Sequence, residues 1–118
     1  MTLSNYNPKY FSNTPLQAAF LKDVKRYQVL KPEEERDLIS RYQTERDMAA
    51  RDRLILSNQL FVYSCAKRYA KDEDEIMDYV QEGNIGLSIA IDNFRPEEGK
   101  KLMTVGVLYI RRSMNFYL

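Results

Sequence analysis

The sequence predicts an all-α protein, a compact bundle of about five helices. Three observations predict it. Apolar residues recur at three- and four-residue spacing along most of the chain, which places them on one face of a helix. No stretch alternates with a period of two for long enough to demand a strand. The four glycines and four prolines fall mostly at the ends of the periodic segments, where they punctuate helices. With 118 residues there is material for one domain around one modest core.

Residues 1–13 are polar, turn-prone and contain Pro8, so they read as a mobile tail ahead of a domain over residues 14–118. A first helix starts at Thr14-Pro15, a hydroxyl cap followed by proline in the first turn. Leu16, Ala19, Phe20, Val24 and Tyr27 give it an apolar face. Lys31-Pro32-Glu33-Glu34-Glu35 marks a second start, with acids where the helix dipole favours them, and Leu38, Ile39 and Tyr42 follow. A third, long helix is expected from Asp47 to Tyr69, with Leu54, Phe61, Val62, Cys65 and Tyr69 on its face. Lys71 to Glu75 lacks a hydrophobic period and reads as a loop into a fourth helix that ends near Asn93. Arg95-Pro96-Glu97-Glu98-Gly99 is a strong break. A last helix begins near Met103-Thr104, carried by Val105, Leu108, Tyr109 and Met114.

Charge and composition narrow the chemistry. The formal net charge is only +1, yet Asp72 to Glu82 holds six acids and no base, whereas Gly99 to Leu118 holds four bases and no acid. Such segregation suits contact with two different partners, or two solvated surfaces. Cys65 is the only cysteine and histidine is absent, so neither a zinc cluster nor a disulfide is available and no metal or cofactor is expected. Most nucleophile–base pairs are removed as well, leaving carboxylates as the one route to catalysis. Those carboxylates gather in one segment and one helical stripe rather than around a pocket, so no enzyme is expected. No apolar run is long enough to span a membrane and the N-terminus lacks a signal-peptide core, which predicts a cytoplasmic protein with no membrane partner.

The fourth helix carries the most informative pattern. Taking Asp78 as zero and ~100° per residue, Ile76, Val80, Gly83 and Leu87 cluster between about 140° and 200°, an ordinary core face. Asp78, Gln81 and Glu82 form a polar stripe on the other side, and Ile85 and Ile89 lie within it. Apolar residues inside a hydrogen-bonding stripe suit a docking surface better than a merely solvated one. Gly83 lies on the buried arc, where it lets another helix approach; Gly86, near ~80°, falls on the flank.

Asp78-x-x-Gln81-Glu82-Gly83-Asn84-Ile85-Gly86-Leu87 resembles the region-two signature of bacterial RNA polymerase sigma factors of the housekeeping type. The segments Ala50–Tyr69 and Ala90–Gly99 are similar to that family too, and Thr14–Tyr42 more weakly resembles the helical region preceding it. The resemblance implies docking on the clamp helices of the largest subunit of core RNA polymerase through Asp78, Gln81, Glu82 and Asn84. An acidic, amide-bearing stripe is suited to arginines on a partner coiled coil.

By the same resemblance, the C-terminal segment contacts promoter DNA. The family stacks unpaired bases of the non-template strand on aromatic residues and holds phosphates with cations. Here the matching positions are Lys100, Leu102, Val105 and Leu108, and only Tyr109 is aromatic. In the pocket that receives the flipped adenine of the minus-ten element, Arg95 replaces an acid, Glu98 an arginine and Val105 the stacking tyrosine. An atypical minus-ten readout is therefore expected, with Lys100, Lys101, Arg111 and Arg112 on phosphates. Arg112 and Asn115 match positions that read a duplex base pair. Asn58 matches a residue near a second flipped base and Leu21 one near the discriminator; each has a structural alternative, as does Tyr109.

These implications make the chain a sigma-like initiation factor with core RNA polymerase and promoter DNA as partners. The chain stops inside the DNA-reading segment. That fits a phage-encoded factor relying on a second protein for upstream contacts, or part of a longer chain. The chief alternative is a regulator that occupies the sigma site without promoter specificity; a catalytic bundle or a general DNA-binding module fits less well.

Overall fold

The computed structural model describes residues 15–24, 29–96 and 99–116. The tail, Thr14, Tyr27, Glu97 and Glu98 lie outside the described residues, as does the side chain of Leu16. Among the described residues the chain is wholly helical: α1 Pro15–Val24, α2 Pro32–Glu45, α3 Met48–Leu56, α4 Gln59–Tyr69, α5 Glu73–Asn93 and α6 Leu102–Asn115. The all-α expectation holds, with six helices where about five were expected.

The extra helix comes from a break in the expected Asp47–Tyr69 helix. Ser57 Oγ and Asn58 Nδ2 both donate to the Leu54 carbonyl, at 3.1 and 2.7 Å. These short side chains satisfy the carbonyl that helix continuation would otherwise occupy, so α3 ends and α4 restarts at Gln59. The Lys71–Glu75 segment also departs from expectation. Its acids form the first turn of α5, and the Asp72 carboxylate caps it by accepting from Glu75 N at 3.2 Å.

The α2 start follows the sequence: Lys31 is extended, Pro32 opens the helix, and Glu34 accepts from the Lys31 backbone N–H at 3.1 Å. Arg46, in the left-handed region at φ 55°, ends α2 and turns the chain into α3. Asp47 then caps α3 by accepting from Ala50 N at 3.2 Å, while Arg41 Nη2 donates to the same carboxylate at 3.0 Å. Those contacts, the Ala50 N–H first and the Arg41 guanidinium second, hold the Asp47 carboxyl below the usual carboxylate range.

α5 is the central element, packed along α6 and α4. Leu54, Val62, Tyr63, Leu87, Ile91, Leu102 and Ile110 are fully enclosed in one cluster. Each such side chain contributes about 1.5–3 kcal/mol of hydrophobic stabilisation. Phe20 brings α1 onto this core by stacking on Tyr63, with ring centres 5.4 Å apart. The two glycines of α5 set how closely its neighbours lie. A Cβ on Gly83 would stand 2.9 Å from Val62 Cγ1; one on Gly86 would meet the backbone of Tyr109. Gly86 is therefore buried against α6, whereas the sequence placed it on a flank.

Helix α2 reaches across the joint between α5 and α6. Gln43 Nε2 donates to the Ile91 and Phe94 carbonyls at 2.9 and 2.8 Å, closing the C-terminal end of α5. Glu35 Oε2 accepts from Leu102 N at 3.0 Å, supplying the cap that Lys101 does not give α6. Tyr42 adds a hydroxyl bond to Asp92 at 2.5 Å.

Candidate functional site

On α5 the core face and the stripe separate as the helical wheel requires. Ile76, Val80, Gly83 and Leu87 are buried, while Asp78, Gln81, Ile85 and Ile89 are exposed and Glu82 is half-exposed. Ile85 and Ile89 keep 54% and 42% of their surface open, large for apolar residues flanked by carboxylates. The ion pairs seen among the described residues join Arg41 to Asp37 and Asp47, and Arg46 to Asp92. None uses Asp78 or Glu82, so both carboxylates remain available to an external cation.

Asn84, at the edge of the stripe, has its amide engaged within the fold. It is half-buried and exchanges two bonds with Gln59 of α4: Gln59 Nε2 donates at 2.8 Å and Asn84 Nδ2 donates back at 3.1 Å. Gln59 also donates to the Ile55 carbonyl at 2.9 Å. A buried amide needs such partners, and this pair locks α4 to α5 beneath the stripe. Sequence reasoning missed Gln59; a glutamine just after the Ser57-Asn58 break is the one signal it offered.

The second candidate surface is α6 and the residues leading into it. Lys100 and Lys101 are exposed ahead of the helix, and Arg111, Arg112 and Asn115 are exposed along it. Leu108 lies among them with 61% of its surface open. Tyr109 is half-buried, with the Arg112 guanidinium 6.0 Å from its ring centre, a weak cation–π contact at the limit of range. Leu102 is fully enclosed, which removes it from any base-stacking series. Val105 instead lines a depression of about 140 Å³ together with Asn93, Phe94, Arg95 and Lys100. The Asn58 amide donates to the Leu54 carbonyl at 2.7 Å, and Leu21 is buried in the core.

Among the described residues no group of acids and cysteine could hold a metal ion, and no helix is long and apolar enough to cross a membrane. The two surfaces, one acidic with isoleucines and one basic, are carried by helices that pack directly on each other.

A family model for Sigma-70 region 2 matches residues 54–114, which takes in α4, α5 and nearly all of α6. The chain is 34% identical over 99 residues to the RNA polymerase sigma factor RpoH of Zymomonas mobilis, covering 84% of this chain and 33% of that protein. It is 37% identical over 95 residues to the RNA polymerase sigma factor SigA of Clostridium acetobutylicum, covering 80% of this chain and 25% of that one. To the RNA polymerase sigma-C factor of Myxococcus xanthus it is 32% identical over 101 residues, covering 86% and 34%. The chain thus spans about a third or less of the length of these relatives. With the region-two signature seated on α5 and the match running through both candidate faces, the chain belongs to the sigma-70 region 2 family.

Proposed function

We propose that this protein is a non-enzymatic transcription-initiation factor. It binds the clamp helices of core RNA polymerase through Asp78, Gln81, Glu82, Ile85 and Ile89. It presents Lys100, Lys101, Arg111, Arg112 and Asn115 to promoter DNA. The observation that carries the reading is the α5 stripe, where two open isoleucines lie among unpaired carboxylates and an amide. The names of the relatives, all RNA polymerase sigma factors, support the same assignment. Asn84 acts from below, by fixing α4 against the docking helix through Gln59.

On α6, exposed cations track phosphates, while Arg112 and Asn115 are of the types that bond base edges. The minus-ten readout is atypical. Leu102 is enclosed, Val105 and Leu108 are aliphatic, and Tyr109 alone offers a ring on this helix. The same poverty of stacking residues favours a second reading, a regulator that occupies the sigma site and blocks transcription without choosing promoters.

Two measurements test these readings. The pair Gln81→Ala with Glu82→Lys abolishes retention of core polymerase in a pull-down and leaves the circular dichroism spectrum unchanged. Retention of polymerase by that variant removes the α5 interface. In run-off transcription with core polymerase, added protein starts transcripts at particular promoters; a uniform loss of output selects the blocker instead.

A further inference from the structure

The acidic stripe of α5 and the basic face of α6 are complementary to each other. Helix α5 carries six acids and no base, whereas the chain from Gly99 to Leu118 carries four bases and no acid. Each face has an open aliphatic centre, Ile85 and Ile89 on α5 and Leu108 on α6. Asp78, Glu82, Lys101, Arg111 and Arg112 enter none of the ion pairs among the described residues. The two faces cannot meet within one molecule. On α6 the side toward α5 is that of Gly106, which lies against Leu87, and of Ile110 and Met114, which lie against Gly83. Leu108 stands two residues from both Gly106 and Ile110, about 200° around the helix from each. It therefore points away from α5, and only a second molecule can bring a stripe to it.

The order of residues along the two helices selects a register. On α5 the acids precede the aliphatics: Asp78 and Glu82 come seven and three residues before Ile85. On α6 the cations follow: Arg111 and Arg112 come three and four residues after Leu108. With the helices antiparallel and Leu108 against Ile85, Arg111 lies level with Glu82, Arg112 with Gln81 and Asn115 with Asp78. Arg112 then stands three residues, about 4.5 Å of helix rise, from Asp78, within reach of its long side chain. A parallel arrangement sets the arginines level with Ser88 and Ile89 instead, away from the free acids. The formal net charge of only +1 leaves little general repulsion between copies. We infer that, free of other partners, this chain associates with a second copy of itself head to tail. The α5 stripe of one molecule covers the α6 face of the next. Because the contact joins two different faces, each added copy leaves one of each open, and short chains form. The inference goes beyond the function proposed above and does not rest on it. Combined with that function it makes the assembly self-masking, since polymerase displaces a neighbour's α6 to reach the stripe.

Sedimentation equilibrium of the full chain, without polymerase or DNA, tests it. One pair of helices is a small interface, so the dissociation constant at low salt is expected in roughly the 10–100 µM range. Raising the salt from about 0.05 M to about 0.5 M weakens association roughly tenfold, because exposed ion pairs are screened. Leu108→Ser alters one exposed side chain, leaves every charge in place and weakens association about tenfold through loss of the aliphatic centre. Two charge reversals separate the faces. Asp78→Lys with Glu82→Lys makes the stripe basic, and Arg111→Glu with Arg112→Glu makes the α6 face acidic. Each pair alone sets like charges across the contact and stays monomeric, with the parent's circular dichroism spectrum. The variant carrying all four changes keeps the parent's net charge, restores opposite signs across the contact and associates again. A parent that stays monomeric at about 0.1 mM overturns the inference. So does association that is indifferent to salt or to Leu108→Ser, or that survives in either paired reversal alone. The last result would point to stripe against stripe or face against face, and not to a head-to-tail contact.

Discussion

Gly86→Ala measures how tightly α5 is seated on α6. In a free helix the change would gain roughly 1 kcal/mol, because alanine is the better helix former. Here the new Cβ would lie 2.8 Å from Ser113 Oγ and 2.8 Å from the Tyr109 carbonyl carbon, and closer still to its oxygen. Ser113 could rotate away, but the Tyr109 backbone moves only if α6 moves. Overpacking of this kind costs about 1–3 kcal/mol, and a backbone obstacle puts it at or above the upper end. The net loss is therefore about 2 kcal/mol, a fall in Tm of roughly 8 °C at about 4 °C per kcal/mol for a domain of this size.

Gly106→Ala is the matched control, since its Cβ would meet only the flexible end of Met103, with Sδ at 3.3 Å, and Leu87 at 3.8 Å. That variant keeps the helix-forming gain and melts at or slightly above the parent temperature. Both melts are followed by circular dichroism at 222 nm, a standard helix signal. A Gly86→Ala protein as stable as the parent, or a Gly106→Ala protein that falls equally, would refute the close α5–α6 approach.

Three further outcomes follow from other contacts. Gln59→Leu leaves Asn84 half-buried without its partner and should cost about 1–3 kcal/mol in urea unfolding, while Gln59→Leu with Asn84→Leu recovers part of the loss. Asp47→Ala lowers Tm at neutral pH through loss of the α3 cap and of the Arg41 contact. Because the native Asp47 pKa lies below its unfolded value, this contribution is present above the ordinary carboxylate pKa of about 4 and fades as pH falls through the lowered native value. The gap between parent and variant melts should therefore narrow in acid, and a constant gap would contradict the capping role. Cys65 is enclosed, and burial pushes its thiol pKa up. Alkylation by iodoacetamide at neutral pH should be negligible in the folded protein and appear together with urea unfolding.

The helix faces were legible because burial and the 3.6-residue repeat say the same thing. Ile76, Val80, Gly83 and Leu87 are spaced for one face of α5, and all four are buried. The Lys31-Pro32 start and the end of α5 at Asn93 were marked by local chemistry as well. The Ser57-Asn58 break was not, because Leu54, Val62 and Cys65 keep their spacing across it and no glycine or proline interrupts. Its signal lay in two adjacent residues whose short side chains bond backbone carbonyls. The acids at Asp72–Glu75 were read for their missing hydrophobic period, although an aspartate cap followed by acids is itself a helix start. The neighbours of Asn84 and Gly86 were hidden for a different reason. A wheel gives an angle about one axis and no account of which neighbour stands there, so the Gln59 amide and the Tyr109 carbonyl were invisible. The exposure of Ile85 and Ile89 needed only the wheel, and that part of the site was read from sequence.

Helix α2 works as a splint. Gln43 fastens the last turn of α5 and Glu35 fastens the first turn of α6, so one rigid rod is pinned on both sides of the break between them. Neither fastener belongs to the segment that matches the family, which begins at residue 54. The smallest piece that holds the two faces in register is consequently larger than the piece that the family model covers. A chain trimmed to the matched segment would keep every residue assigned to polymerase and every cation assigned to DNA. It would lose the rod that sets the angle between them.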